Sequence, residues 1–165
     1  MAAGSTYSTI ATTTLGTAQS SVTFNSFSGY TDIIVVCNLA ISSGTGNSKI
    51  QFNSDTGSNY SETTVEGTGS SAVSSRYTSN TSIILEGSGY LSTTFQTVKI
   101  IHLMNYSNSI TNKTCLVRNG GAGAGVDAIV GLWRNTGAIT SFTISTTAST
   151  FVAGSTFTLY GIAAA

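Results

Sequence analysis

Acidic and amide residues cluster in the stretch IQFNSDTGSNYSET, residues 50–63, where their spacing raises the question of a calcium loop. An EF-hand loop needs oxygen ligands at positions 1, 3 and 5, glycine at position 6 and glutamate at position 12. Counting from Asn53 puts Asp55 at position 3, but positions 5, 6 and 12 hold glycine, serine and threonine. Asn, Asp and Gly are also the residues that tight turns prefer. We therefore predict a turn between two strands, with an irregular cation site near Asp55 as the open alternative.

Hydrolytic catalysis has few candidate residues, since the chain holds a single histidine, His102. A nucleophile needs a base beside it, and His102 lies in the apolar run VKIIHLMNY, where a lone histidine usually has a structural role. No spacing singles out a carboxylate pair for glycoside cleavage among the scattered acidic residues. Those residues include Asp55, Glu62, Glu66 and Glu86. We expect no catalytic residues and no enzyme, and a hydrolase that uses His102 is the weakest alternative.

Two other motifs that carry chemistry in some proteins lack the necessary context here. The glycine run NGGAGAGV, residues 119–126, is followed by VDAIVGLW, which continues as a strand rather than opening a phosphate-binding helix. A flexible hairpin connection, or a loop packed against a neighbour, is the expected structure. Cys37 and Cys115 are too few and too far apart for a zinc site or a disulfide scaffold, and we expect both in the core. The sequence predicts no metal site and no cofactor.

Aromatic residues are the best candidates for a binding site, because sugar rings stack on exposed aromatic faces. Tyr90 and Trp133 are the residues that we select for a glycan contact. The competing interpretation is that Trp133 and most tyrosines close the ends of the fold or lie at subunit contacts.

The composition excludes several classes of partner. Charged residues make up 7% of the 165 residues, and six acidic side chains balance six basic ones. Because the basic residues never form a run, the chain has no electrostatic footprint for nucleic acid or an anionic membrane. No apolar run reaches the about 18 residues that span a bilayer. We expect no nucleic-acid partner and no membrane partner.

Hydrophobic alternation with a period of two residues recurs along nearly the whole chain, which predicts an all-β protein. In residues 32–41 one face holds only apolar side chains, and this face must be core. The number of strands, the short turns and the lack of helical connections favour a single domain, residues 1–165, that folds as a two-sheet antiparallel sandwich of jelly-roll type. The expected strands are residues 7–15, 21–27, 32–41, 49–52, 60–65, 82–86, 95–106, 113–118, 126–133, 139–145 and 156–162.

Proline is absent from the chain. Proline and inward charges commonly protect exposed strand edges from pairing with other chains, and this sequence has few of either. We therefore expect the edges and the hydroxyl-rich faces to be covered by neighbouring subunits of a homo-oligomer.

Six motifs together resemble a family of small virion structural proteins of tailed phages that are abundant among marine and cyanobacterial phages. The likeness spans nearly the whole chain, with the closing STFTLYGI as its most distinctive piece. One departure is the segment FNSFSGYTD, where the family often has a proline before YTD. The motifs are TIATTTLG (9–16), YTDIIVV (30–36), QFNSDTGSNYS (51–61), MNYSN (104–108), VGLWRNTGAITSFTI (130–144) and GSTFTLYGI (154–162).

The resemblance implies a β-sandwich subunit of the virion, assembled in the cytoplasm of the bacterial host. Since no repeat that could build a fibre shaft is present, a capsid decoration or cement protein is expected, as a trimer in contact with the major capsid protein or other virion proteins. The alternative is a receptor-binding tail fibre tip or adhesin that binds carbohydrate. The resemblance supplies no catalytic residues.

Two segments are predicted to make the protein–protein contacts. Residues 1–8 would form an N-terminal anchoring arm, with Ala2, Ser5 and Tyr7 as contact residues. One face of a later strand would lie at subunit contacts through Thr97, Lys99, Ile101 and Leu103.

Overall fold

The computed structural model describes residues 6–87 and 90–163, and within these ranges it contains strands and no helix. The fold is the predicted all-β sandwich of two antiparallel sheets, and its described strands follow in chain order. They are β1 (Tyr7–Thr14), β2 (Ser21–Asn25), β3 (Asp32–Leu39), β4 (Ser48–Phe52), β5 (Tyr60–Gly67), β6 (Ala72–Asn80), β7 (Ile83–Ile84), β8 (Thr97–Leu103), β9 (Lys113–Gly121), β10 (Gly125–Trp133), β11 (Ser141–Thr146) and β12 (Thr156–Ile162).

The two sheets differ in size. The large sheet has eight strands in the order β1-β12-β3-β8-β9-β10-β5-β6, and the small sheet has four in the order β2-β11-β4-β7. The antiparallel pairs β2 with β11, β3 with β8, β4 with β7 and β5 with β6 are those of one long hairpin rolled into two layers, which is a jelly-roll arrangement. The hairpin β9–β10 widens the large sheet between β8 and β5.

The core lies between the sheets, where the predicted alternation holds. In β3 the side chains of Ile33, Val35, Cys37 and Leu39 are fully buried. Each such side chain contributes about 1.5–3 kcal/mol when it leaves water. Phe142 and Ile144 of β11 and Phe157 and Leu159 of β12 complete the same layer.

Both cysteines are buried and free, as expected from the sequence. Burial raises the pKa of Cys37 and of Cys115 to about 12. The two thiols are therefore protonated core side chains at neutral pH.

One strand escaped the sequence prediction. Strand β6, with the sequence AVSSRYTSN, is exposed along nearly its whole length and lacks an apolar face. It forms because the backbone of β5 offers it a partner from Tyr60 to Gly67. Any extended segment can pair with an exposed strand edge. The sequence of β6 therefore does not need the hydrophobic alternation that identifies a buried strand.

The glycine run forms the predicted hairpin connection between β9 and β10. Strand β9 ends at Gly121, and β10 begins at Gly125. Phe95 packs over this turn so closely that a Cβ atom at Gly121 or at Gly123 would lie 2.7 Å from a carbon of its ring. A side chain at either position would therefore force the Phe95 ring to move.

Because eight strands face four, the large sheet extends beyond the small one. The last strand of the small sheet, β7, contacts β5. The inner side of β6 therefore has no strand of the small sheet in front of it.

Candidate functional site

The outer face of the large sheet carries an apolar surface. We define it by six exposed side chains: Tyr7, Val65, Val98, Leu116, Val126 and Val130, which are 42–64% exposed. In β10 the exposed Val126 and Val130 alternate with the buried Asp127 and Ile129, so the outer side of this strand is apolar although it faces water. An antiparallel sheet normally presents polar side chains to water on its outer side. Exposed apolar patches are typical of interaction sites on proteins.

The outer face is continuous. A groove of about 450 Å³ runs across β8, β9, β10 and β5 and is lined by Ile100, Leu116 and Val130. A second depression of about 270 Å³ shares Ile34, Ile100 and Arg118 with it and reaches Tyr7. Both depressions belong to one surface that spans β1 to β5.

Few charges interrupt this surface. His102 contacts Asp32 through its Nε2 atom at 2.9 Å from the carboxylate Oδ2, and Asp32 Oδ1 accepts a hydrogen bond from the Asn105 backbone N–H at 2.8 Å. The single histidine is therefore held by a carboxylate on the outer face, with Leu116 as its neighbour across the strand pair. Within the described part of the chain, no serine hydroxyl forms a hydrogen bond with its ring.

A second region of interest is the cleft where the large sheet extends past the small one, which we call the overhang cleft. Its volume is about 350 Å³. One wall consists of Glu62, Thr64, Glu66, Tyr77 and Asn80 from β5 and β6. The other wall consists of Asn47, Ile84, Glu86 and Gly87.

Glu62 is the most unusual residue of the overhang cleft. It is 3% exposed, and its Oε1 atom accepts a hydrogen bond from Asn80 Nδ2 at 3.0 Å. Its Oε2 atom has no hydrogen-bond partner in the described part of the chain. Burial raises the pKa of Glu62 to about 7, although the Asn80 amide and the Ile84 backbone N–H lower it part of the way.

Behind the cleft, a buried ion pair joins the two sheets. Lys99 Nζ contacts the Glu86 carboxylate and donates a hydrogen bond to Asn119 Oδ1 at 2.9 Å. Ser48 donates to Glu86 from its backbone N–H and from its hydroxyl, both at 2.6 Å. Asn119 Nδ2 in turn donates to Asp127 Oδ2. Burial raises the pKa of Glu86, and the Lys99 ammonium opposes that shift.

The stretch that raised the question of calcium connects β4 to β5, so the prediction of a turn between two strands is confirmed. Asp55 accepts hydrogen bonds from the Gly57 backbone N–H at 2.8 Å, from Asn59 Nδ2 at 2.9 Å and from Trp133 Nε1 at 2.7 Å. These hydrogen bonds, with that from Trp133 first, hold the pKa of Asp55 below its usual value. The carboxylate thus fixes the turn onto the end of the sandwich. Within residues 6–87 and 90–163, no group of three or more His, Cys, Asp or Glu side chains could hold a metal ion.

The predicted contact face of β8 is wrong. Thr97, Lys99, Ile101 and Leu103 are at most 1% exposed in the single chain, because they face the small sheet. The outward side chains of β8 are Val98, Ile100 and His102. The error arose from choosing between two faces that are both largely apolar.

The predicted glycan contact at Trp133 is also wrong, because this ring is 1% exposed and packs against Phe52 and Tyr60. It closes the end of the sandwich, as the competing interpretation expected. Tyr90 is 37% exposed, and its contact with a glycan stays a prediction.

The predicted anchoring arm lies partly outside the described residues. Ala2 and Ser5 fall there. Tyr7 and Ser8 are not part of an arm, because they belong to β1 and pair with Ile162 and Gly161. Tyr7 nevertheless lies on the outer face and stays a candidate contact residue.

Two sets of functional candidates were missed by sequence reasoning, namely the outer-face valines and Glu62. The valines could have been found from the sequence. A strand that is covered on one side needs apolar residues only at alternate positions, whereas VDAIVGLW and TVKIIHL also hold apolar residues at neighbouring positions. Glu62 gave no signal, because its burial depends on β6 and on the end of the small sheet.

The chain has no significant match among protein-family models, curated proteins or solved structures. Of the described residues, none belongs to a helix with the length and apolar character needed to cross a membrane.

Proposed function

We propose that the protein is a non-enzymatic structural subunit of a tailed-phage virion, most specifically a capsid decoration or cement protein. The observation that carries the structural role is the apolar outer face of the large sheet. Exposing Val65, Val126 and Val130 to water is unfavourable, and the exposure ends when another protein covers them. The virion as the setting is supported by the motif resemblance along the sequence.

The occupant of the outer face that we propose is a second copy of the chain. Seven strands at about 4.8 Å spacing and six residues at about 3.3 Å give a surface of roughly 670 Å² per copy. Covering this surface with a neighbouring copy buries about 1,300 Å² in total, which lies within the range of stable specific interfaces. The Asp32–His102 contact pairs two of the polar groups there, and Arg118, which lines both depressions, is the charge that a neighbouring copy has to accommodate.

The homo-oligomer is proposed to be a trimer that also contacts the major capsid protein or other virion proteins. Such a subunit stabilises a particle because it binds only the assembled state and shifts its equilibrium by mass action. Residues 1–5 are the proposed anchor. In this account the protein resides in the virion and is assembled in the cytoplasm of the bacterial host.

A receptor-binding fibre tip or adhesin is the second candidate, and the overhang cleft is the observation that favours it. The cleft combines carboxylates, amides and the exposed ring of Tyr77, which are groups that recognise sugar hydroxyls. This candidate predicts glycan binding that is lost in Tyr77→Ala while the fold is kept.

The proposal is tested by locating the chain in purified particles with a density map. We expect copies on the capsid surface, at positions where they bridge neighbouring capsid subunits. Density for the chain on the tail alone would contradict the decoration role and would favour the fibre tip.

A further inference from the structure

The buried ion pair behind the overhang cleft brings an amine and a side-chain amide together. Lys99 on β8 and Asn119 on β9 lie directly opposite each other in the antiparallel pair, and both are buried. Lys99 Nζ lies 2.9 Å from Asn119 Oδ1. The amide carbon Cγ is bonded to this oxygen at about 1.2 Å, so Nζ is at most about 4.1 Å from the carbon that an amine attacks.

The side-chain amide of Asn119 is held in one orientation. Its Nδ2 atom donates a hydrogen bond to Asp127 Oδ2, and its Oδ1 atom accepts one from Lys99. A flipped amide would turn an acceptor toward the carboxylate and a donor toward the ammonium, so only the observed orientation satisfies both neighbours. The carbonyl group therefore faces the lysine, and the amide nitrogen faces Asp127.

A proton acceptor for the lysine is in direct contact with it. An ammonium group must give up a proton before its nitrogen can attack a carbon, because the protonated nitrogen has no free lone pair. Glu86 contacts Lys99 Nζ, and Ser48 fixes the carboxylate with two hydrogen bonds of 2.6 Å. Burial raises the pKa of Glu86, which favours the form that holds a proton, whereas the Lys99 ammonium lowers it.

The cluster is closed to water. The side chains of Lys99 and Glu86 have no exposed surface, and Asn119 and Asp127 are each 6% exposed. Such fixed geometry reaches effective molarities of about 10⁵–10⁸ M in well-oriented intramolecular reactions. Lys113 is also buried, but its ammonium donates to two backbone carbonyl oxygens. The arrangement of amine, amide and carboxylate is thus particular to Lys99.

We propose that Lys99 and Asn119 form an intramolecular isopeptide bond, with Glu86 as the proton acceptor. The Lys99 nitrogen forms a bond to Cγ of Asn119, and the bond from Cγ to Nδ2 breaks. Of the three protons of the ammonium, one passes to Glu86, one leaves with Nδ2 as ammonia and one stays on the new amide. The atoms balance without a further reactant, and the reaction occurs once in each chain.

The isopeptide bond stabilises the large sheet in two ways. It joins β8 to β9 and closes a loop of the chain, which lowers the conformational entropy of the unfolded state. It also replaces a buried ammonium and a buried carboxylate by a neutral amide and a neutral carboxyl group, so the desolvation cost of two charges disappears. This inference does not depend on the virion role.

The test is the intact mass of the unfolded full-length chain, followed by proteolysis and peptide mapping. We expect the purified wild-type chain to be lighter than its sequence by one ammonia molecule, about 17 Da, and to yield a pair of peptides joined through Lys99 and Asn119. A wild-type chain of full mass would overturn the proposal, and this result needs no variant. A loss of one water molecule, about 18 Da, with a link from Lys99 to Glu86 would overturn it as well.

Three variants separate the isopeptide bond from other losses of ammonia. Lys99→Arg keeps the cation but removes the amine, and Glu86→Gln removes the proton acceptor, so both chains should have full mass. Lys49→Met changes a partly exposed lysine of β4 and should show the wild-type loss. Asn119 is followed by Gly120, and a succinimide there would also release ammonia. A loss that persists in Lys99→Arg or in Glu86→Gln would contradict the proposed reaction.

Discussion

The two sides of strand β5 contrast sharply. Toward the inside it presents Glu62, Thr64 and Glu66, and toward the outside it presents Thr63 and Val65. This reverses the usual half-buried strand, which places apolar residues inside and polar residues outside. The difference teaches that the inner side at this end of the sandwich is a polar cleft, while the outer side exposes apolar side chains to solvent.

The same contrast extends over the large sheet. Its inner side holds groups whose partners are within the chain, such as the Lys99–Glu86 pair, so substitutions there should change folding stability. Its outer side holds apolar groups that find no cover within the described chain, so substitutions there should change assembly.

The largest loss of folding stability is expected for substitutions on the inner side of the large sheet. Lys99→Met leaves Glu86 buried without its cation, and we expect the free energy of unfolding to fall by about 3–5 kcal/mol. Urea denaturation measures this loss. Lys49→Met, the same change on the partly exposed β4, should cost less than about 0.5 kcal/mol. Similar losses in the two variants would show that the buried pair has no special role.

The Glu62→Gln substitution tests the inner side of the large sheet in a second way, because its effect on the free energy of unfolding should depend on pH. The pKa of Glu62 is about 7 in the folded chain against its usual 4.5, so the folded state loses stability as pH rises from 4.5 to 7. The substitution removes this loss, and the free energy of unfolding at pH 8 should rise by up to about 3 kcal/mol, with little change at pH 4. Urea midpoints across pH 4–8 measure it. A gain of the same size at pH 4 would contradict the assignment of the titration to Glu62.

Asp55→Ala should cost about 1–3 kcal/mol, because the buried Trp133 N–H loses its acceptor. Asp55→Asn keeps an acceptor oxygen and should cost less. Since the pKa of Asp55 is lowered in the folded chain, its contribution should be present above pH 4 and should disappear as pH falls further. Thermal melts of both variants at pH 7 and pH 3 check the prediction, which fails if the two variants are equally destabilised.

Sequence reasoning succeeded where one local rule decides the outcome. The alternation in β3 separated the buried Val35 from the partly exposed Val36, and the composition of residues 53–59 predicted the turn that Asp55 stabilises. It failed in β8, because Lys99 lies inside and Val98 outside, against the ordinary preference of both residues. The buried partners of Lys99 reverse its preference, and they are Glu86, 13 positions away along the chain, and Asn119, 20 positions away.

The candidate sites were harder to predict than the fold. The burial of Glu62 arises from Asn80 and Ile84, which reach it through β6 and through the small sheet. The outer face joins exposed side chains from β1, β5, β8, β9 and β10, and no sequence pattern specifies the order of these strands in the sheet. Sites of this kind depend on strand order, and strand order is a property of the whole fold.

Substitutions on the outer face are expected to have the smallest effect on folding stability and the largest effect on assembly. Val126→Glu combined with Val130→Glu adds two charges to exposed positions, so the fold should be kept within about 0.5 kcal/mol. Ile110→Glu is the matched control, because Ile110 is 82% exposed and lies outside the outer face. Circular dichroism checks that all three chains have the same strand content.

Sedimentation velocity of these chains at micromolar concentration is the most direct test of the central claim, that the outer face is covered by other copies of the protein. The wild-type chain and Ile110→Glu should sediment as an oligomer, with a trimer as the expected order, and the Val126→Glu, Val130→Glu chain as a folded monomer. A wild-type chain that sediments as a stable monomer, or a double variant that keeps the oligomer, would contradict the account.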